Sequence, residues 1–226
     1  YKHYWRFKLF NKSFDLDVIK DLTDRLKGIM GKLDSSAVRD YIYNAPKNIE
    51  QIADIYKSVF GRKNPHGLSG GLNITSAILV HYPIYPETIQ KIICSTTFKE
   101  QSLNWVYTQS YGASTVSVLT GDAINFAEYP EFINFANGVD IFCLQVPHHG
   151  GKKNWDSLKK SRFPLYRDTH YVLPFGLGNT YGHPNTSVLE DLDHGKMNYF
   201  CVTQYSTFEY EIVAEVSIQW KIERLV

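Results

Sequence analysis

A chain of 226 residues is long enough for one large domain or two small ones, and a composition that is 43% hydrophobic and 15% aromatic excludes a disordered chain. Lys and Arg number 24 against 23 Asp and Glu, a net charge of +1, so no global field advertises a nucleic-acid partner, although a local basic groove fits inside a neutral total. No apolar run reaches the roughly 18 residues that a membrane-spanning helix needs, and the unpaired Cys94, Cys143 and Cys201 suit a reducing, cytoplasmic compartment.

In chain order, Tyr4 to Phe10 alternate aromatic and basic residues. This pattern predicts a strand with Trp5, Phe7 and Leu9 on one buried face and Arg6 and Lys8 on the other. Leu16, Ile19, Leu22, Leu26 and Ile29 then recur at helical spacing, with Asp15 placed to cap the start and Gly31 to break the end. A short helix is expected around Ala37 to Tyr43, and another over Ile49, Ile52, Ala53, Tyr56 and Phe60, from an Asn48 cap to a Gly61 stop. Both stripes are expected to face a core. The glycine-rich stretch Gly67 to Gly71 lacks the Lys-Ser/Thr ending of a Walker phosphate loop. Ile74 to Tyr82 is expected as a buried strand, followed by a helix near Glu87 to Ile93 and irregular chain to about residue 110.

From Ser114 the rhythm is strand, helix, strand, helix. Strands are expected at Val116–Leu119, Asp140–Val146, Tyr171–Phe175 and Asn198–Val202, with helices at Phe126–Phe135, Trp155–Lys160 and Thr186–Leu192 between them. A long antiparallel strand from Phe208 to Trp220 closes the chain. This order predicts an α/β architecture with a mixed sheet. Residues 1–10 read as a strand added from a preceding half, 11–66 as a helical insertion, and 67–226 as the main body of a single domain.

Three polar clusters follow apolar strands: Thr120-Gly121-Asp122, Val146-Pro147-His148-His149-Gly150, and Asn179 with Tyr181-Gly182-His183-Pro184. Carboxylate and imidazole at successive strand ends suggest a metal site on one edge of a sheet. Together with Asn73, Thr75 and Ser76 upstream, this order resembles the metallo-β-lactamase-fold domain of ComEC-type competence proteins and related hydrolases. The resemblance runs from about Asn73 to about Thr203. It implies a four-layer αββα sandwich, of which this chain carries the C-terminal half plus a helical insertion. It also implies a hydrolase using two divalent metals, zinc or manganese, on DNA or another phosphodiester. The family's His-x-(His/Asp)-x-Asp-His motif is nowhere in the sequence. Tyr1 in place of a starting Met leads to the expectation that an upstream segment, or a companion chain, supplies that half of the site.

Asp122 is the first candidate ligand; the resemblance makes it the carboxylate shared by both metals, while its simplest other role is a turn cap. Adjacent side chains of an extended segment point apart, so one of His148 and His149 is expected to face the metals and the other to hold the loop or a phosphate. His183 competes with them as the last ligand. Asp122, His148 and His149 are the candidate catalytic residues, and the same three with His183 the candidate metal ligands. Asn73 and Ser76 are expected at the site floor, Asn179 and Tyr181 at its rim, and Lys152 beside the substrate. The remaining histidines, His3, His66, His81, His170 and His194, are expected to be structural or superficial. No dinucleotide fingerprint follows a strand and no zinc-finger spacing is present to compete with the metal reading. The rival from another class is a non-catalytic module that keeps this fold to bind a protein or nucleic acid.

Overall fold

The computed structural model describes residues 5–12, 14–45, 47–61, 65–66, 76–84, 89–98, 101–108 and 115–214. It is an α/β fold with a mixed six-stranded sheet, a second three-stranded sheet and helices. The strands are β1 (Trp5–Phe10), β2 (Ile78–Pro83), β3 (Ile89–Phe98), β4 (Gln101–Thr108), β5 (Val116–Leu119), β6 (Ile141–Gln145), β7 (His170–Pro174), β8 (Asn198–Val202) and β9 (Ser206–Ala214). The helices are α1 (Leu16–Met30), α2 (Ser35–Asn44), α3 (Lys47–Phe60), α4 (Pro130–Ala136), α5 (Lys152–Lys160) and α6 (Thr186–His194). The larger sheet runs β1-β2-β5-β6-β7-β8, antiparallel through β5 and parallel from β5 to β8. The smaller sheet, β4-β3-β9, is antiparallel throughout.

Alternation along the parallel strands, interrupted in β6 by a register shift against β5 that skips Phe142, divides their side chains between two cores. Val118, Leu144, Tyr171 and Leu173 face α4, α5 and α6, where they meet Phe126, Phe132, Trp155, Leu158, Val188 and Leu192, all fully or almost fully buried. Phe142 and Cys143 belong to the other core, with Ile89, Ile92 and Cys94 of β3 and the partly buried Phe208, Tyr210 and Ile212 of β9. A hydrogen bond between the Ser117 and Tyr210 hydroxyls, 2.6 Å, ties the two sheets together across that layer. Helix, sheet and sheet thus form three layers among the described residues.

Helices α1 and α3 share a small core of Val18, Val59 and Phe60. Ile124 packs against it, which places the helical insertion beside the loop that follows Asp122. Gly31 (φ +73°) ends α1, and the Gly61 amide donates to Lys57 O at the end of α3, as the glycine positions predict. The helix boundaries differ slightly from expectation. Asp15 flanks α1 without a side-chain cap bond, and α3 starts at Lys47, so Asn48 lies within it and donates to Tyr41 O instead. The expected apolar stripes are not wholly inward: Leu16, Ile19 and Ile49 are exposed, and Val18 is buried in their place.

Two expectations fail for physical reasons. In β1 the outward face is the apolar one, with Phe7 at 65% and Leu9 at 66% exposure. The core lies on the opposite side, where Phe10 packs on Phe132 and Phe135, and Lys8 sets its ammonium 4.5 Å from the Phe135 ring centre. The helix expected near Glu87 to Ile93 is replaced by the hairpin of β3 and β4. A register shift against β9 between Ile89 and Lys91 puts Ile89 and Ile92 in the same core, which imitates helical spacing within a strand. The strand expected from Ile74 begins at Ile78; residues 74 and 75, and the final strand beyond residue 214, lie outside the described residues.

Candidate functional site

Parallel strands β5, β6 and β7 end on one edge, and the turns beyond them interlock. After β5, Thr120 donates its hydroxyl to Gln145 O at 2.8 Å, and Gly121 adopts φ +52°. The Gly121 amide donates to the Gln145 side chain, while its carbonyl accepts from the His148 amide at 2.8 Å. Asn154, buried on α5, donates its amide to Ala123 O at 2.8 Å and more weakly to Asp122 O at 3.4 Å. These bonds fix the backbone that carries Asp122, which a two-residue turn would not do unaided.

The turn after β6 departs from the extended geometry expected of it. His148 (φ 48°, ψ 50°) and His149 (φ 54°, ψ 27°) are both left-handed. For non-glycine residues this conformation is uncommon, and consecutive examples persist only where the surroundings hold them. The consequence is that both rings turn toward Asp122. His148 Nδ1 lies 3.1 Å and His149 Nε2 3.9 Å from the same oxygen, Asp122 Oδ1. His149 also holds the loop: its Nδ1 is 2.6 Å from Pro174 O at the end of β7. A carbonyl can only accept, so Nδ1 carries the proton, and in the neutral ring Nε2 presents its lone pair toward Asp122.

His183 arrives from the loop between β7 and α6, its ring edge-to-face with His148 at 5.0 Å between centres. Its Nδ1 is buried without a hydrogen-bond partner. Burial first, then the neighbouring His148 and His149, lower the His183 pKa, with Asp122 opposing. Asn179 sets this loop, donating its amide to Gly176 O at 2.8 Å and His183 O at 2.7 Å and accepting from the His183 amide at 3.2 Å.

A cavity of about 610 Å³ is lined by Asp122, His148, His149 and His183 together with Pro174, Phe175, Gly176, Asn179 and Tyr181. All four candidate ligands therefore stand on one cavity. Asn179 lines it, but its amide is engaged with the loop. Lys152 does not line it and instead pairs with Asp156 at 2.7 Å. Ser76 is also elsewhere, its carbonyl accepting from Tyr129; Asn73 lies outside the described residues. Gln145, Asn154 and the Pro174 carbonyl were not singled out from the sequence. Nothing local marks them, because each acts on a loop far away in sequence.

Among the described residues, no three or more His, Cys, Asp and Glu side chains are close enough to hold a metal ion as they stand. The nearest approach is the Asp122 carboxylate, whose Oδ1 is engaged by His148. The donor types nevertheless fit zinc or manganese, being one carboxylate with imidazoles. The unpartnered His183 Nδ1 is a buried polar atom whose desolvation nothing in the protein offsets. Comparison with known proteins gives no match, whether to a family model, a curated protein or a solved structure. Among the described residues no helix is long and apolar enough to cross a membrane.

Proposed function

We propose that this chain carries part of the active site of a metal-dependent hydrolase, a phosphodiesterase or nuclease, in a metallo-β-lactamase-like αββα fold. The observation that carries the reading is the convergence of Asp122, His148, His149 and His183 on one cavity at the ends of parallel strands. The order of the three motifs and the two layered sheets support it.

Asp122, His149 through Nε2 and His183 through Nδ1 would hold divalent cations, which lower the pKa of water and offset charge on attacking and leaving oxygens of a phosphoryl transfer. The chain's own residues do the rest. The His149 Nδ1 bond to Pro174 O orients its ring, Asn154 holds the Asp122 loop, and Asn179 holds His183. His148, whose Nδ1 lies 3.1 Å from Asp122 Oδ1, stands beside the carboxylate as a candidate for proton transfer. One carboxylate and three imidazoles fall short of two complete coordination shells, so further donors from an upstream segment or companion chain belong to this proposal.

The test is hydrolysis of a phosphodiester by the complete assembly with added zinc or manganese. Asp122→Asn should reduce turnover by about a thousandfold or more while circular dichroism stays unchanged. Near-normal turnover in a folded Asp122→Asn variant removes this mechanism. The second reading, a non-catalytic module binding a protein or nucleic acid, is favoured by one observation: among the described residues no group of three donors is close enough to hold a metal as it stands.

A further inference from the structure

Two rings that line the cavity, Phe175 and Tyr181, have no role in the hydrolytic reading. Phe175 packs in part against the main core. Tyr181 stands at the mouth and is 83% exposed. Leu177, on the same loop, is also largely exposed. An aromatic ring so exposed adds little to folding. It is also held in place: Asn179 clasps the loop from Gly176 to His183, the Phe175 amide donates to Val202 O, and the Leu177 amide donates to the Gln204 side chain. A ring displayed on a fixed loop loses little freedom when a second ring stacks on it.

The charge nearby is positive. Between residues 151 and 162 stand Lys152, Lys153, Lys159, Lys160 and Arg162 against a single carboxylate, Asp156. Lys152 and Lys159 are paired with Asp156 and Asp191, and among the described residues Lys153, Lys160 and Arg162 form no ion pair within 4 Å. That basic segment directly follows the His148–His149 turn in the chain, and it would attract a polyanion.

We infer that Tyr181, which lines the cavity with Phe175, is a stacking platform for an unpaired nucleobase next to the phosphodiester, so that the site takes single-stranded nucleic acid in preference to duplex. The inference rests on the phosphodiester reading of the same cavity. Base–aromatic stacking is sequence-tolerant because every base has a π face, whereas a base inside a duplex is already stacked and cannot reach the ring. In this reading the phosphate belongs beside Asp122 and the three histidines and the base on the Tyr181 ring, which lines the same cavity.

The experiment is fluorescence anisotropy of the full chain, with chelator present, against a labelled single-stranded thymidine oligonucleotide. The comparisons are its abasic counterpart with the same number of phosphates and its duplex. The thymidine strand should bind roughly tenfold more tightly than the abasic strand, the scale of one stacked base. Tyr181→Ala should abolish that preference and Tyr181→Phe should keep it. Equal binding of thymidine and abasic strands by the parent chain, tighter binding of duplex, or no binding of any strand overturns the inference. Hydrolysis that is indifferent to bases would leave the phosphodiesterase reading standing and remove the platform. A Tyr181-dependent preference without hydrolysis under any metal would do the reverse.

Discussion

Gly150 stands at the seam between the turn that carries His148 and His149 and the loop that carries His183. Its φ is +81°, and its carbonyl accepts from the Asn185 amide at 3.0 Å. A Cβ placed there would meet Pro184 Cβ at 2.8 Å, Leu173 Cδ2 at 3.2 Å and Pro184 Cα at 3.2 Å. Leu173 is fully buried and the proline ring cannot swing aside, so the loops themselves must move apart. Left-handed backbone costs alanine about 1–2 kcal/mol, and forcing an extra methyl into a packed seam adds about 1–3 kcal/mol. Gly150→Ala should therefore destabilise by about 2–5 kcal/mol. Gly121→Ala is the control: its φ is +52°, but no atom lies within 4 Å of its Cβ, so only the backbone cost of about 1–2 kcal/mol applies. Urea unfolding of the two variants beside the parent measures the difference. If Gly150→Ala is no less stable than Gly121→Ala, the two histidine loops do not meet as closely as described, and the shared cavity loses its support.

Stability should fall as pH drops below about 6.5, the ordinary histidine value. Burial lowers the pKa of His81, and burial lowers that of His170 against the opposing Phe142 carbonyl and Asp168, so the unfolded chain takes up protons that the folded chain refuses. Urea midpoints at about pH 7.5 and 5.5 should show this fall, and it should shrink in His170→Phe, whose ring keeps the stack with Phe200 and Phe208; an undiminished fall in that variant refutes the role of His170. Iodoacetamide should label Cys201 well before the buried Cys94 and Cys143, whose thiols burial pushes up to about 11 and about 12. Mass spectrometry of native protein reads the order, and early modification at Cys143 would contradict the sealed inter-sheet core. Calorimetric titration of the chain alone with zinc should give weak binding, because one carboxylate and a few imidazoles do not complete two sites; tight binding of two equivalents would show that the donors suffice without a partner.

Local chemistry alone determined a good deal. Apolar runs bounded by turn residues placed β5 and β8 at their observed ends, and α2, α5 and α6 differ from expectation by a few terminal residues. The glycine stops of α1 and α3 follow from sequence because a helix end needs only its own last turn. The polar clusters after β5, β6 and β7 were legible for the same reason: an apolar strand must end before polar side chains can be presented. Which face of a strand is buried is a different matter, since alternation names two faces and only the neighbouring layer chooses between them. That is why β1 turns Phe10 inward and leaves Phe7 out, and why the bulged β3 read as a helix. The left-handed pair His148 and His149 likewise escaped, as backbone dihedrals of this kind are imposed by the closure of surrounding loops. Asn154, Gln145 and the Pro174 carbonyl become part of the site only because parallel strands bring their ends together across gaps of 20 to 30 residues. The sequence supplied the reactive side chains, and the sheet edge decided that Asp122, His148, His149 and His183 share one cavity with Tyr181.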